Sequence, residues 1–169
     1  MKRVIALLTD TRATAAIEMA LVTPLLCLIM LGSAELGRYF YNEHIMVKAV
    51  RDGAVFASRQ PIDKFLCATG DIVDPVKPNT FALIKTGALA NGTNLLRQWS
   101  GSGTSLTMTL ACVTAAGGTT LGGIYTANGG LVPVITVTAS TPYTPIFNGF
   151  GLWSGFSLNA SEEASVIGI

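Results

Sequence analysis

Charge is scarce in this chain. Only 12% of its 169 residues are Asp, Glu, Lys or Arg, and 11 basic side chains against 10 acidic ones leave a net charge of +1. A nucleic-acid binder shows a basic surplus gathered on one face, so nucleic acid is not an expected partner. Histidine is scarcer still: the count is one, His44. A histidine-rich metal centre or a histidine-based nucleophile relay therefore lacks its parts. Glu43 precedes His44, but adjacent residues do not share a helix face, and a surface histidine is the ordinary reading. The sequence contains no GxSxG, HExxH, CxxC or phosphate-loop pattern. Gly101-Ser102-Gly103 reads as a lead-in to a strand, and Glu162-Glu163 as an exposed bend. The expectation is no catalytic residue, no metal, no cofactor and no enzyme. An anchored extracytoplasmic hydrolase would need a catalytic group that is not visible.

What the chain has in quantity is apolar surface. Half of its residues are hydrophobic, and mean hydropathy is +0.51. Much of this sits in one run from Thr14 to Ala34. Glu18 is its sole acid, and no charge follows from Met19 to Ala34. About 20 residues at about 1.5 Å each approach the thickness of a bilayer core, so residues 14–37 read as a membrane-spanning helix. A cleaved secretory signal and a buried core helix are the alternatives. The run is longer than a signal core of 7 to 15 residues, and its helical pattern continues. Leu36, Tyr39, Phe40, Val47, Val50 and Ala54 recur at helical spacings among Arg38, Glu43, Lys48 and Arg51. The expectation is one long helix, with an amphipathic continuation over 38–60 whose apolar stripe seats on a small domain. Pro24, Gly32 and Gly37 weaken it locally.

Residues 1–13 carry Lys2, Arg3 and Arg12 against Asp10. A basic flank stays in the cytoplasm, which puts the remainder across the membrane. Residues 61–169 are enough for one extracytoplasmic domain with a core. Pro61 ends the helix, and a short helical turn fits near Ile62 to Ala68. A second helix is expected between Thr80 and Trp99, with Gly87 and Asn91-Gly92 as possible breaks. Beyond Gly103 the period changes to two. Leu106, Met108, Leu110 and Cys112 alternate with Thr107, Thr109 and Ala111. Asn128-Gly129-Gly130 marks a turn, Leu131 to Ala139 a strand, and Phe156 to Ile169 a last strand interrupted at Ser161-Glu162-Glu163. Helices followed by antiparallel strands make the fold class α+β.

Cys27 lies in the apolar helix as a small apolar residue. Cys67 and Cys112 fall in the domain placed outside the cytoplasm, where disulfides persist. They are expected to pair, with two buried free thiols as the alternative.

Glu18 demands an explanation, because a carboxylate in hydrocarbon must be paired or neutralised. It either reaches the interface or meets a cation from another protein. A short basic leader, a small-residue junction and a Glu at the fifth place of an apolar helix resemble a type IV prepilin. More closely, Ala15-Ala16-Ile17-Glu18-Met19-Ala20-Leu21-Val22-Thr23-Pro24-Leu25-Leu26, Leu31-Gly32-Ser33-Ala34-Glu35-Leu36-Gly37-Arg38 and Val50-Arg51-Asp52-Gly53-Ala54-Val55-Phe56-Ala57-Ser58 resemble the TadE-like family. These are pseudopilins of tight-adherence (Tad, or Flp) pilus systems. Tyr143-Thr144-Pro145-Ile146-Phe147 is a fainter likeness.

The resemblance implies a pilin-like fold and a structural role as a minor pilin or pseudopilin. It implies a prepilin peptidase that cuts between Ala13 and Thr14, and a Glu18 that directs assembly by pairing with the freed amine of a neighbouring subunit. Ala13 stands where the family usually has Gly, and Met19 where it usually has an aromatic. The implied partners are the peptidase, other pilins, inner-membrane platform proteins and the lipid bilayer. The implied location is the bacterial inner membrane, with a periplasmic domain that can enter a surface pilus. An uncleaved single-pass scaffold of a secretion or pilus machine is the alternative.

Overall fold

The computed structural model describes residues 11–115, 117–147 and 155–168, and only the backbone of Thr11, Arg12 and Ala13. The fold is the expected α+β. Helix α1 (Thr11–Ser58) runs for 48 residues without interruption through Pro24. Its far end is closed by short-range bonds: Gln60 N–H donates to Ala57 O at 3.1 Å, and the Ser58 hydroxyl donates to Val55 O at 2.9 Å. A small ladder of β1 (Phe65–Leu66) and β2 (Asp71–Ile72) follows, then helix α2 (Val76–Thr86). Strands β3 (Ser105–Val113), β4 (Val132–Pro142) and β5 (Ser157–Ser165) form one antiparallel sheet in that order.

The two halves of α1 meet different surroundings. Residues 14–30 are all exposed, and the first fully covered side chain is Glu35. The helix is long and apolar enough to cross a membrane. Residues 14–34 span about 31 Å at about 1.5 Å per residue, close to the hydrocarbon thickness. From Glu35 onward the helix belongs to the folded domain. Its inner face carries Met46, Ala49, Val50, Ala54 and Ala57, packed with Ile84 of α2, Ile135 and Val137 of β4, Leu158 of β5 and Val166 just after β5.

This inner face differs from the expected stripe. Val50 and Ala54 are buried and Tyr39 is partly so, but Leu36, Phe40 and Val47 are 42%, 56% and 46% exposed. Spacing alone allowed either of two neighbouring faces. The folded domain took the one lined with Ala and Gly, because small side chains let α2 lie close. Gly53 shows the demand directly: a Cβ there would collide with Ile84 Cγ1 and come within 2.7 Å of its Cδ1.

Two further expectations are corrected. The second helix begins at Val76, with Pro78 in its first turn and not in a preceding loop. The amide that proline lacks would have had no partner there. It ends at Gly87, whose left-handed φ of 72° lets its N–H return to Leu83 O, so Ala88 to Leu96 is not helical and only Arg97–Ser100 forms a 3-10 turn. Glu162 and Glu163 do not make a bend. They pair in register with Val137 and Thr136 inside β5, and the Thr136 hydroxyl reaches Glu163 Oε1 at 3.3 Å.

The domain has two ends. The near end gathers the start of β3, the end of β4 and the start of β5 around Glu35 to Tyr39. At the far end, Ile167 N–H bonds Ser58 O at 2.9 Å and the Tyr125 hydroxyl bonds Val166 O at 3.1 Å. Here Cys67 and Cys112 form a disulfide across 45 positions, with their Cα atoms 5.7 Å apart. It ties the loop after α1 to the far end of β3. Closing a loop of this length limits the unfolded chain by about 3 to 4 kcal/mol on the chain-entropy model.

Two outcomes follow for urea melts of the detergent-solubilised chain. Reduction, or Cys67→Ser with Cys112→Ser, should lower stability by about 3 to 4 kcal/mol; an unchanged midpoint would mean the far end is held by packing alone. Gly53→Val should cost about 1 to 3 kcal/mol by overpacking against Ile84, whereas Gly32→Val, where a Cβ meets nothing, should be neutral.

Candidate functional site

The described residues offer two places where the sequence puts charge against its surroundings, and both are glutamates on α1. Glu18 lies on the exposed segment, one turn beyond Thr14. Around it, hydroxyls fold back onto the helix: Thr23 Oγ1 donates to Met19 O at 2.6 Å and Ser33 Oγ to Ile29 O at 2.7 Å. Such back-bonding satisfies a hydroxyl that faces lipid. Among the described residues, Glu18 has no comparable local arrangement. It remains an exposed carboxylate on an otherwise apolar rod, open to a partner from outside the chain. The Ala13–Thr14 bond lies in the first turns of α1. The Ala13 side chain and the leader through Asp10 lie outside the described residues.

Glu35 is the opposite case, a carboxylate with no exposed surface. The chain returns from β4 as Tyr143 to Phe147 and wraps it. The Tyr143 hydroxyl donates to Glu35 Oε1. Ile146 N–H reaches Oε2 at 3.0 Å and Oε1 at 3.2 Å, and Phe147 N–H reaches Oε2 at 3.2 Å. Three donors thus converge on one carboxylate across more than 100 positions of sequence. Pro145 supplies no amide of its own and leaves the next two N–H groups free to turn toward the helix. Tyr39 seals the side. Its ring meets the Tyr143 ring edge-on at 5.2 Å and the Phe156 ring at 6.4 Å, and its hydroxyl donates to Ser157 O at 3.4 Å.

Electrostatics agree with the geometry. Burial alone pushes the Glu35 carboxyl up, but the Tyr143 hydroxyl, the Phe147 and Ile146 amides and the nearby Arg38 charge outweigh it, so its pKa falls below the ordinary value of 4.5. Burial, together with the same bond and the Glu35 charge, pushes the Tyr143 phenol up from 10.0 to about 12. The carboxylate is therefore ionised and the phenol neutral across the physiological range. This is a static clasp and not an acid–base pair poised to exchange a proton.

The sequence pointed to Glu18 and passed over Glu35, which appeared only within a stretch that resembles the TadE-like family. The usable signal was an acid directly after an apolar run, combined with a distant Tyr-x-Pro-x-x segment rich in potential donors. Cys67 and Cys112 come together at the far end of the domain, well away from both glutamates along α1. His44 is exposed on α1. Among the described residues, no group of three or more His, Cys, Asp or Glu is arranged to hold a metal ion.

The clasp makes stability depend on pH in both directions. A lowered carboxyl pKa stabilises the fold above about 4.5, and that part is lost as pH falls through the folded value. A raised phenol pKa stabilises fully below 10 and is lost as pH rises through about 12. Glu35→Ala should destabilise by roughly 2 kcal/mol, near the lower part of the range for losing bonds to a charged group, because water can reach the freed donors at the domain's edge. It should also flatten the acid limb of the stability–pH curve. In an ultraviolet titration, one of the four tyrosines should ionise near pH 12 and return toward 10 in that variant.

Residues 13–55 match the family model described as TadE-like protein. No curated protein and no solved structure matches the chain. The matched stretch covers the apolar rod, Glu18, the clasped Glu35 and the Gly53 contact, and stops before the strands. The likeness to the TadE-like family is thus one of the N-terminal segment.

Proposed function

We propose that the protein is a structural minor pilin or pseudopilin of a Tad (Flp) type IV pilus, with no catalytic role of its own. The observation that carries this reading is the arrangement along α1. An exposed apolar rod of bilayer length bears one exposed carboxylate, Glu18, a single turn after Thr14, and a folded domain begins at the rod's other end. A prepilin peptidase cuts between Ala13 and Thr14 on the cytoplasmic side. The new α-amino group and a Glu18 carboxylate from a neighbouring subunit then neutralise one another in low dielectric. The domain sits on the periplasmic side of the inner membrane, and the rod is drawn sideways into a helical bundle with other pilins and platform proteins.

The exposed faces of the helix suit this role. Leu25, Leu28 and Ile29 within the rod and Leu36, Phe40 and Val47 beyond it remain uncovered by the domain. Together they offer one chain of apolar side chains first to lipid and then to other subunits. Gly32, Ser33 and Ala34 keep the rod slim where helices would cross. A second reading, an uncleaved single-pass scaffold of the assembly machine, rests on Ala13 standing where the family usually has Gly.

Processing separates the two. The test is intact mass and N-terminal sequence of the membrane-extracted chain, expressed with and without a matching prepilin peptidase. A peptidase-dependent start at Thr14 is expected, and Glu18→Gln should be cut normally yet be depleted from sheared pili. A chain that still starts at Met1 in a host that builds pili would leave the scaffold. A start beyond Ala34 would mean the rod is a secretory signal.

A further inference from the structure

The near end of the domain holds an open groove of about 520 Å³, lined among others by Arg38, Arg97, Gln98, Ser102, Thr144 and Ile146. Its charge is one-sided: among the described residues, two guanidinium groups and no acid line it. Among the described residues, neither arginine has an ion-pair or hydrogen-bond partner. Arg38 is half-buried and feels the Glu35 charge, but that carboxylate is already occupied by Tyr143, Ile146 and Phe147. Gln98 is 8% exposed and contributes a polar side chain to the wall. Its carbonyl is bonded by Thr104 Oγ1 at 3.1 Å and by Gly101 N–H at 2.9 Å, which fixes the loop under the groove.

The position of the groove identifies its occupant. Arg38 lies four residues past Ala34, about 6 Å along the axis at about 1.5 Å per residue. On the reading that residues 14–34 fill the hydrocarbon, that is the depth of lipid headgroups. The surroundings fit the same depth. Ile146 is 51% exposed on the groove's rim, and Phe40 and Tyr41, two and three residues past Arg38 along the helix, are 56% and 66% exposed. Aromatic side chains gather at this level of a bilayer. We propose that this groove binds the headgroup phosphate of an anionic phospholipid in the periplasmic leaflet. Arg38 and Arg97 would contact the phosphate oxygens, Ser102 and Thr144 would offer hydroxyls, and Ile146 would rest on the acyl boundary. Guanidinium groups suit a phosphodiester because their paired donors match its oxygens. A lipid held there would fix the tilt of the domain on the membrane before assembly, and would have to be released when the rod leaves the bilayer.

The inference rests on the membrane-spanning reading of the rod, and the test keeps the two apart. Full-length chain in mild detergent is titrated with phosphatidylglycerol, with phosphatidylcholine as control, and bound lipid is counted by native mass spectrometry. Arg38→Gln and Arg97→Gln should each weaken phosphatidylglycerol retention about fivefold, and the pair about 25-fold, from roughly 1 kcal/mol per arginine at an anionic surface. Arg51→Gln, at an exposed position farther along the helix, should change nothing. Ten millimolar-range inorganic phosphate should fail to displace the lipid; displacement would mean a free-anion site and would overturn the lipid assignment. Carbonate extraction of membranes is run in parallel. If the chain stays in the membrane but both variants retain lipid as the parent does, the groove assignment falls alone. If arginine loss instead abolishes capture of an acidic partner protein with lipid retention intact, the groove is a protein site and the assignment again falls. If carbonate releases the chain, the spanning reading falls with it. The single variants keep the test open should the double variant fail to fold.

Discussion

One ionised carboxylate, closed over by a returning loop, decides where this long helix stops being a bare apolar rod and becomes part of a domain. A 48-residue helix has no backbone reason to change character at any point, since every interior peptide group is satisfied the same way. The change must come from side chains. At Glu35 a charge that neither lipid nor an apolar core would accept receives three donors from Tyr143, Ile146 and Phe147. Before it the helix is bare; after it the sheet and α2 cover one face. The same contact fixes the near end of β4 and the start of the segment that leads to β5, so the sheet cannot slide along the helix without unmaking it.

The remaining restraints follow from the shape of the problem. A sheet of three strands lying on one helix has a small core, and small cores hold their edges poorly. The domain is therefore tied at both ends. The near tie is electrostatic and local to Glu35. The far tie combines the Cys67–Cys112 disulfide with the bonds from Ile167 to Ser58 and from Tyr125 to Val166. Between them the helix lies close because its inner face is built from Ala49, Gly53, Ala54 and Ala57. Larger residues on that face would lift the helix off α2. Leu36, Phe40 and Val47 instead lie on the outer face.

Much of this was legible in the sequence, and the failures have physical causes. The rod, the strands at Leu106–Cys112 and Leu131–Ala139 and the cysteine pair were visible because each depends on local pattern or on compartment. The inner face of α1 was misjudged because large apolar residues were taken as the buried ones, whereas close packing selected small ones. Glu162-Glu163 read as a bend because charge in a strand is uncommon, yet β4 supplies the ladder regardless of what the side chains carry. The second helix was expected only from Thr80, yet it starts at Val76 because its first turn tolerates Pro78. Glu35 was overlooked because its partners lie more than 100 positions away and two of the three are backbone amides, which every sequence contains. What makes those two amides available is the turn after Pro145, and that is a property of the folded loop.

The most direct measurement of the clasp is residue-resolved amide hydrogen exchange on the detergent-solubilised chain, followed at Ile146 and Phe147. Both lie in a loop that would exchange quickly if it merely crossed the surface. With their N–H groups bound to Glu35, they should exchange at rates near those of β4. In Glu35→Ala they should become fast while the β4 amides at Ile135 and Val137 stay slow. Fast exchange at Ile146 and Phe147 in the unaltered chain would contradict the clasp, and with it the assignment of Glu35 as the point where the bare rod ends and the domain begins.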